Sequence, residues 1–113
     1  MISGVTREIA GKSETFRMNN RAKRAIESRM GKGIIALFSE MDKEFTFEFM
    51  TVALAESMND GAGASMERAD AVVDEIGVAE AGDLLGKIGE AAFPEVDDSE
   101  ANAKNGKGAA RSK

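Results

Sequence analysis

Cysteine, histidine, tyrosine and tryptophan are all absent from this 113-residue chain, and proline occurs once. Without cysteine there are no disulfides, no thiolate catalysis and no cysteine-based zinc site. Without histidine the chain lacks the commonest general base near neutral pH and the commonest transition-metal ligand. An enzyme built from these residues would have to run on carboxylates, Lys or Ser/Thr, so a non-enzymatic protein with no cofactor and no metal is expected. Long apolar runs are missing too: no segment reaches the roughly 20 apolar residues of a membrane span, and no such run follows a basic start. A chain working in the cytoplasm, away from membranes, is the expectation. Its length suits one domain that buries roughly two-thirds of its unfolded surface.

What is present is unevenly charged. The net charge is −5, yet residues 1–32 hold eight Lys/Arg against three Asp/Glu, residues 33–98 three against sixteen, and residues 99–113 four against one. The acidic middle would repel nucleic acid and attract a basic partner.

The most apolar stretch is residues 45–58, and the remaining elements are expected to be arranged around it. Three of the six Phe residues, Phe45, Phe47 and Phe49, open it. Phe47, Met50, Leu54 and Met58 follow at helical spacing and predict one inward stripe. The opening Phe-Thr-Phe-Glu-Phe alternates as a strand would. Thr46 as N-cap, Glu48 in the first turn and a Phe45–Met50 staple nevertheless favour a helix.

Upstream, residues 1–18 read as a hairpin, with Val5 to Ile9 and Thr15 to Met18 as its arms. Ala10-Gly11-Lys12-Ser13 is its turn, and Gly11 is the residue suited to a positive φ. Asn19-Asn20 offers an N-cap to a helix with Ala22, Ile26 and Met30 on one side, ended by Gly31. Lys23 and Glu27 stand at i,i+4 spacing within it. A short helix over 34–41 carries Ile34, Leu37, Phe38 and Met41. Downstream, residues 59–64 read as a flexible Asn-Asp-Gly-Ala-Gly-Ala break. Ser65 then caps a helix with Ala69, Val72, Val73 and Ile76, ended by Gly77. A last helix over about 79–93 places Ala81, Leu84, Leu85, Ile88 and Ala92 on one face. Gly82, Gly86 and Gly89 each weaken this helix by roughly 1 kcal/mol relative to Ala, and they leave room for a neighbouring backbone. Residues 95–113 hold no apolar side chain larger than alanine except Val96, as expected of a disordered tail. The expected fold is therefore α+β but mostly α: one domain over 1–93 with an N-terminal hairpin and four to five helices, then a flexible tail over 94–113.

Local motifs add little chemistry. Gly11-Lys12-Ser13 ends like a phosphate-binding loop, but that motif needs a glycine five residues earlier, where Thr6 stands. The basic cluster Arg17, Arg21, Lys23, Arg24, Arg29 and Lys32 lacks the interleaved aromatics of a single-strand binder. Residues 66–88 have the outline of a helix-turn-helix, but the second helix would bring Glu80, Asp83 and Glu90 to the phosphates. Glu95, Asp97, Asp98 and Glu100 lack the spacing of a calcium loop. The remaining candidate is the Phe/Met surface, because methionine adapts to varied apolar ligands. Phe45, Phe49 and Met50, flanked by Glu48 and Glu56, are the expected partner-contacting residues.

The order of elements carries a resemblance. The hairpin closing on Phe16-Arg17-Met18, the helix from Asn20 through Glu27 to Met30 before Gly31-Lys32-Gly33-Ile34, the Phe-rich helix, the Gly/Ala break and the final helix pair resemble the small tail-cluster protein of gene transfer agents and long-tailed phages. That family is described both as a tail tube protein and as a tail assembly chaperone. The resemblance spans roughly residues 5–93 and rests on order and spacing, without a catalytic motif. It implies an assembly factor that coats the long helical tape measure protein and hands it to the tail tube subunit. Its alternative implication is a structural tail tube subunit located in the virion tail. An amphipathic helix with basic edges would suit the apolar, acid-rimmed Phe/Met helix, and the hairpin edge is free in principle to pair copies into a homo-oligomer.

Overall fold

The computed structural model describes residues 2–41, 43 and 46–93. Phe45 and the tail over 94–113, both subjects of expectations above, lie outside the described residues.

The chain opens with an antiparallel hairpin, β1 (Val5–Ile9) paired with β2 (Lys12–Phe16) in the register Val5 to Phe16, Arg7 to Glu14 and Ile9 to Lys12. The loop is shorter than the expected four residues. Ala10 (φ 52°) and Gly11 (φ 83°) alone make it, and two left-handed central residues match the right-handed twist of the strands. One face of the hairpin, with Val5, Arg7, Ile9, Glu14 and Phe16, turns inward; on the other, Thr6 and Thr15 share a hydroxyl hydrogen bond of 3.0 Å.

Five helices follow: α1 (Asn20–Met30), α2 (Ile34–Glu40), α3 (Phe47–Gly61), α4 (Met66–Ile76) and α5 (Val78–Ala92). Their ends obey cap chemistry. Asn19, Thr46 and Ser65 accept hydrogen bonds from the backbone N–H groups of Ala22, Phe49 and Arg68, satisfying first-turn donors of α1, α3 and α4. Gly31 closes α1 in the left-handed region at φ 72°, and Gly77, at φ 90°, ends α4 while starting α5. Lys23 and Glu27 do not serve each other as their spacing suggests. Glu27 instead accepts the Ile34 N–H at 2.7 Å and so caps α2, while Lys23 reaches α5.

The helix α3 is the axis of the domain. It packs against β2, α1, α4 and α5, and Phe49 through Ala55 are buried without interruption. An amphipathic helix buries one stripe; a helix covered on all sides buries small and β-branched residues as well. Thr51, Val52, Ala53 and Ala55 are buried for that reason, beyond the single stripe expected. Around α3 the core is completed by Phe16, Met18, Ile26, Leu85 and Ile88, all at most 1% exposed.

Two expectations for α3 are corrected. Phe47, expected to face inward with Met50, is 65% exposed, whereas Phe49, expected to contact a partner, is 4% exposed. Phe47 is the first helical residue, and Cα–Cβ bonds tilt toward a helix N-terminus. Its ring therefore projects past the last packed layer. Phe49 instead meets Phe38 of α2 edge-on, with ring centroids 5.4 Å apart, and Phe38 meets Phe93 at 6.0 Å. Lys23 completes this row: its ammonium lies 4.4 Å from the Phe93 ring centroid and donates to the Ala92 carbonyl at 3.4 Å. The close approach permitted by a glycine of α5 is made by a ring and not by a backbone. A Cβ on Gly89 would lie 2.8 Å from Phe38 Cε1.

Candidate functional site

The acidic and aromatic residues picked from the sequence separate into two regions of the structure. The first is a polar seam at the C-terminal end of α3, where the expected flexible break is instead tied down. Regular helix stops at Met58 (ψ 167°), and Asn59 and Asp60 both adopt left-handed conformations at φ 55° and 57°. Asn and Asp are the side-chain-bearing residues that visit this region most readily, and the surroundings hold two of them in succession here.

They do so from four elements. Glu14 of β2 is buried, and its carboxylate accepts the Asn59 N–H at 2.7 Å and Arg68 of α4 at 3.0 Å. Arg17 donates to Asp60 at 2.7 Å and to the Ile2 carbonyl. Its backbone N–H also donates to the Ser57 carbonyl at 2.9 Å, extending the line of β2 onto α3. Arg21 donates to the Gly61 carbonyl at 2.8 Å and to the Glu56 carbonyl at 2.7 Å, and Asn19 reaches the same Gly61 oxygen at 3.3 Å. Glu56, expected at a partner surface, is engaged within the chain. Its carboxylate, 13% exposed, is held by Arg21 at 3.1 Å and Arg29 at 3.6 Å. Three of the six residues of the basic cluster read from the sequence, Arg17, Arg21 and Arg29, thus serve this seam.

The second region is an open groove at the other end of α3. Phe47 and Thr51 of α3, Asp70, Val73 and Asp74 of α4, Gly77, and Val78 of α5 line about 610 Å³. Phe47 and Val78, at 65% and 45%, are two of the three exposed large hydrophobic side chains among the described residues, the third being Ile35 of α2. Glu48 is exposed in the first turn of α3, next to Phe47 in sequence. Of the other expected contact residues, Met50 is fully buried and Phe49 nearly so, so a partner cannot touch either without parting α3 from its neighbours. Phe45 lies outside the described residues.

No protein-family model matches the chain, and no curated protein or solved structure compared with it gives a match.

The groove is lined by apolar and acidic side chains. Its polar groups are two carboxylates and a threonine hydroxyl, and Thr51 is itself buried. Among the described residues no group of three or more acidic side chains is disposed to hold a metal ion, and no helix is long and apolar enough to cross a membrane. Sequence reasoning missed Val78, Asp70 and Asp74. The detectable signal was the pair of acids at i,i+4 on the same helix as Val73, with a second valine just beyond Gly77.

Proposed function

We propose that this protein is a phage-type tail assembly chaperone: a non-enzymatic factor that binds helical segments of a tape measure protein, keeps them soluble and delivers them to the tail tube subunit. The observation that carries this reading is the exposed pair Phe47 and Val78 beside acids that make no ion pair among the described residues, whose other large apolar side chains, Ile35 excepted, are at least partly buried. An exposed apolar patch rimmed by polar groups is a common mark of an interaction surface. The resemblance to gene transfer agent and phage tail proteins supplies the kind of client. The tail tube alternative is ranked lower because a ring-forming tube subunit needs a sizeable sheet, and the sheet among the described residues has two five-residue strands.

The test is co-expression with a tape measure protein of a phage-like particle. The wild-type chain is expected to keep that protein in the soluble fraction and to co-purify with it. A tape measure protein equally soluble without the chain overturns the proposal. Stoichiometric recovery of the chain in purified particles would favour the tube subunit. Substitution of Phe49 is unsuited to this test, since Phe49→Asp would place a charge in the core and report folding. Phe47→Asp leaves the core untouched and reports binding.

A further inference from the structure

We infer that the groove between α3, α4 and the start of α5 takes an α-helix from a separate chain, bearing a short apolar stripe with Lys or Arg one turn apart along its edge. The physiological identity of that chain rests on the chaperone reading; the chemistry of recognition does not.

Three features define the occupant. The first is apolar: the exposed side chains of Phe47 and Val78 line the groove together with Val73, a surface that an aliphatic stripe can cover. The second is charge. Asp70 and Asp74 stand one turn apart on α4, both exposed, and all the ion pairs among the described residues are made elsewhere. The one base on α4, Arg68, is engaged by Glu14. Like charges at i,i+4 repel, and two cations at the same spacing on a facing helix relieve that repulsion. The third feature is backbone chemistry. The groove is walled by helices, with no strand among its lining residues. An extended peptide laid there would lose water from its N–H and C=O groups without gaining a sheet edge to pair with, whereas a helix satisfies its own backbone.

The same features argue against an occupant from within this chain. The basic helix α1 has its apolar residues Ala22 and Ile26 at 0% exposure and so has no stripe to offer. Residues 95–113 are basic toward their end but hold no apolar side chain larger than alanine except Val96. A second copy would bring either Ile35, a single exposed residue on α2, or its own Phe47 and Val78 with the same Asp70 and Asp74, setting acids against acids.

Fluorescein-labelled synthetic helices sharing one leucine stripe, with Lys, Gln or Glu at the flanking positions, test the inference by anisotropy titration against the full chain. The Lys-flanked peptide is expected to bind about tenfold or more tighter than the Glu-flanked one at low salt, from two exposed pairs gained against two repulsions, and to lose most of that margin at high salt. Asp70→Asn with Asp74→Asn should remove the charge preference while leaving the Gln-flanked affinity in place. Phe47→Ser should weaken all three peptides, its fold verified by far-ultraviolet circular dichroism. Equal binding of Lys- and Glu-flanked helices, no binding of any helix, or preferences unchanged in these variants overturns the inference. So does a concentration-dependent self-association of the chain alone that Phe47→Ser abolishes. Charge-selective binding without protection of the tape measure protein would overturn only the chaperone reading. Protection that survives these substitutions would overturn only this one.

Discussion

Two glycines one turn apart on α5 should respond oppositely to the same substitution. At Gly86 an added Cβ would meet no heavy atom within 4 Å. Gly86→Ala therefore gains the helix propensity of alanine, about 1 kcal/mol. At Gly89 the Cβ would fall 2.8, 3.1 and 3.3 Å from Cε1, Cζ and Cδ1 of Phe38. That ring cannot swing away freely, because it is in edge contact with Phe49 at 5.4 Å and with Phe93 at 6.0 Å. Overpacking costs about 1–3 kcal/mol and each disturbed aromatic contact about 0.5–1.5. Set against the same propensity gain, Gly89→Ala should destabilise by about 1–2 kcal/mol. With no Tyr or Trp to report fluorescence, the assay is urea unfolding followed by circular dichroism. At about 1–3 kcal/mol per molar the two midpoints should move apart, one on either side of wild type. A Phe38→Leu background should relieve most of the Gly89→Ala penalty, giving a coupling of about 1 kcal/mol. If Gly89→Ala stabilises as Gly86→Ala does, the aromatic row is not held in place and the reasoning fails.

Other substitutions probe the polar groups. Ser57 Oγ is buried without a hydrogen-bond partner, so Ser57→Ala should stabilise by about 0.5–2 kcal/mol by removing a desolvated hydroxyl from a helix; a lower unfolding midpoint would refute this. Glu14→Ala leaves the Asn59 N–H without its acceptor and Arg68 without its partner. A loss of about 1–3 kcal/mol is expected, with faster amide exchange at Asn59 than at the buried core of α3; unchanged exchange there would count against the seam. Lys23→Met keeps the aliphatic stem but removes the charge over Phe93 and at the Ala92 carbonyl. It should cost about 0.5–1 kcal/mol in thermal unfolding, and a smaller loss, from the Ala92 carbonyl alone, should follow when Phe93 is already leucine.

Features with local causes were readable in advance. Asn19, Thr46 and Ser65 cap helices because each side-chain oxygen serves an N–H three residues on. Gly31 and Gly77 end helices because a positive φ is inexpensive for glycine alone. The stripe of α5 could be read because that helix has one covered side, and all five expected residues, Ala81 to Ala92, are buried. The ordering of residues 59–64 was not readable. As a string they are small and polar, and what orders them lies some 40 residues upstream, in Glu14, Arg17, Asn19 and Arg21. No local pattern carries a partnership of that range.

Helical periodicity failed at Phe47 and Phe49 because it assigns faces and says nothing of ends. A helix covered around its whole circumference, as α3 is, has no face left to present to a partner. Only its termini remain. The C-terminal end of α3 is closed by the arginines and the buried carboxylate of the seam. At the N-terminal end, Phe47 extends beyond the packing and lines one groove with Val78 of the α4 to α5 junction. Contact residues on such a domain therefore belong where the central helix emerges from its neighbours, and its most apolar turns are excluded from that role by the completeness of their burial.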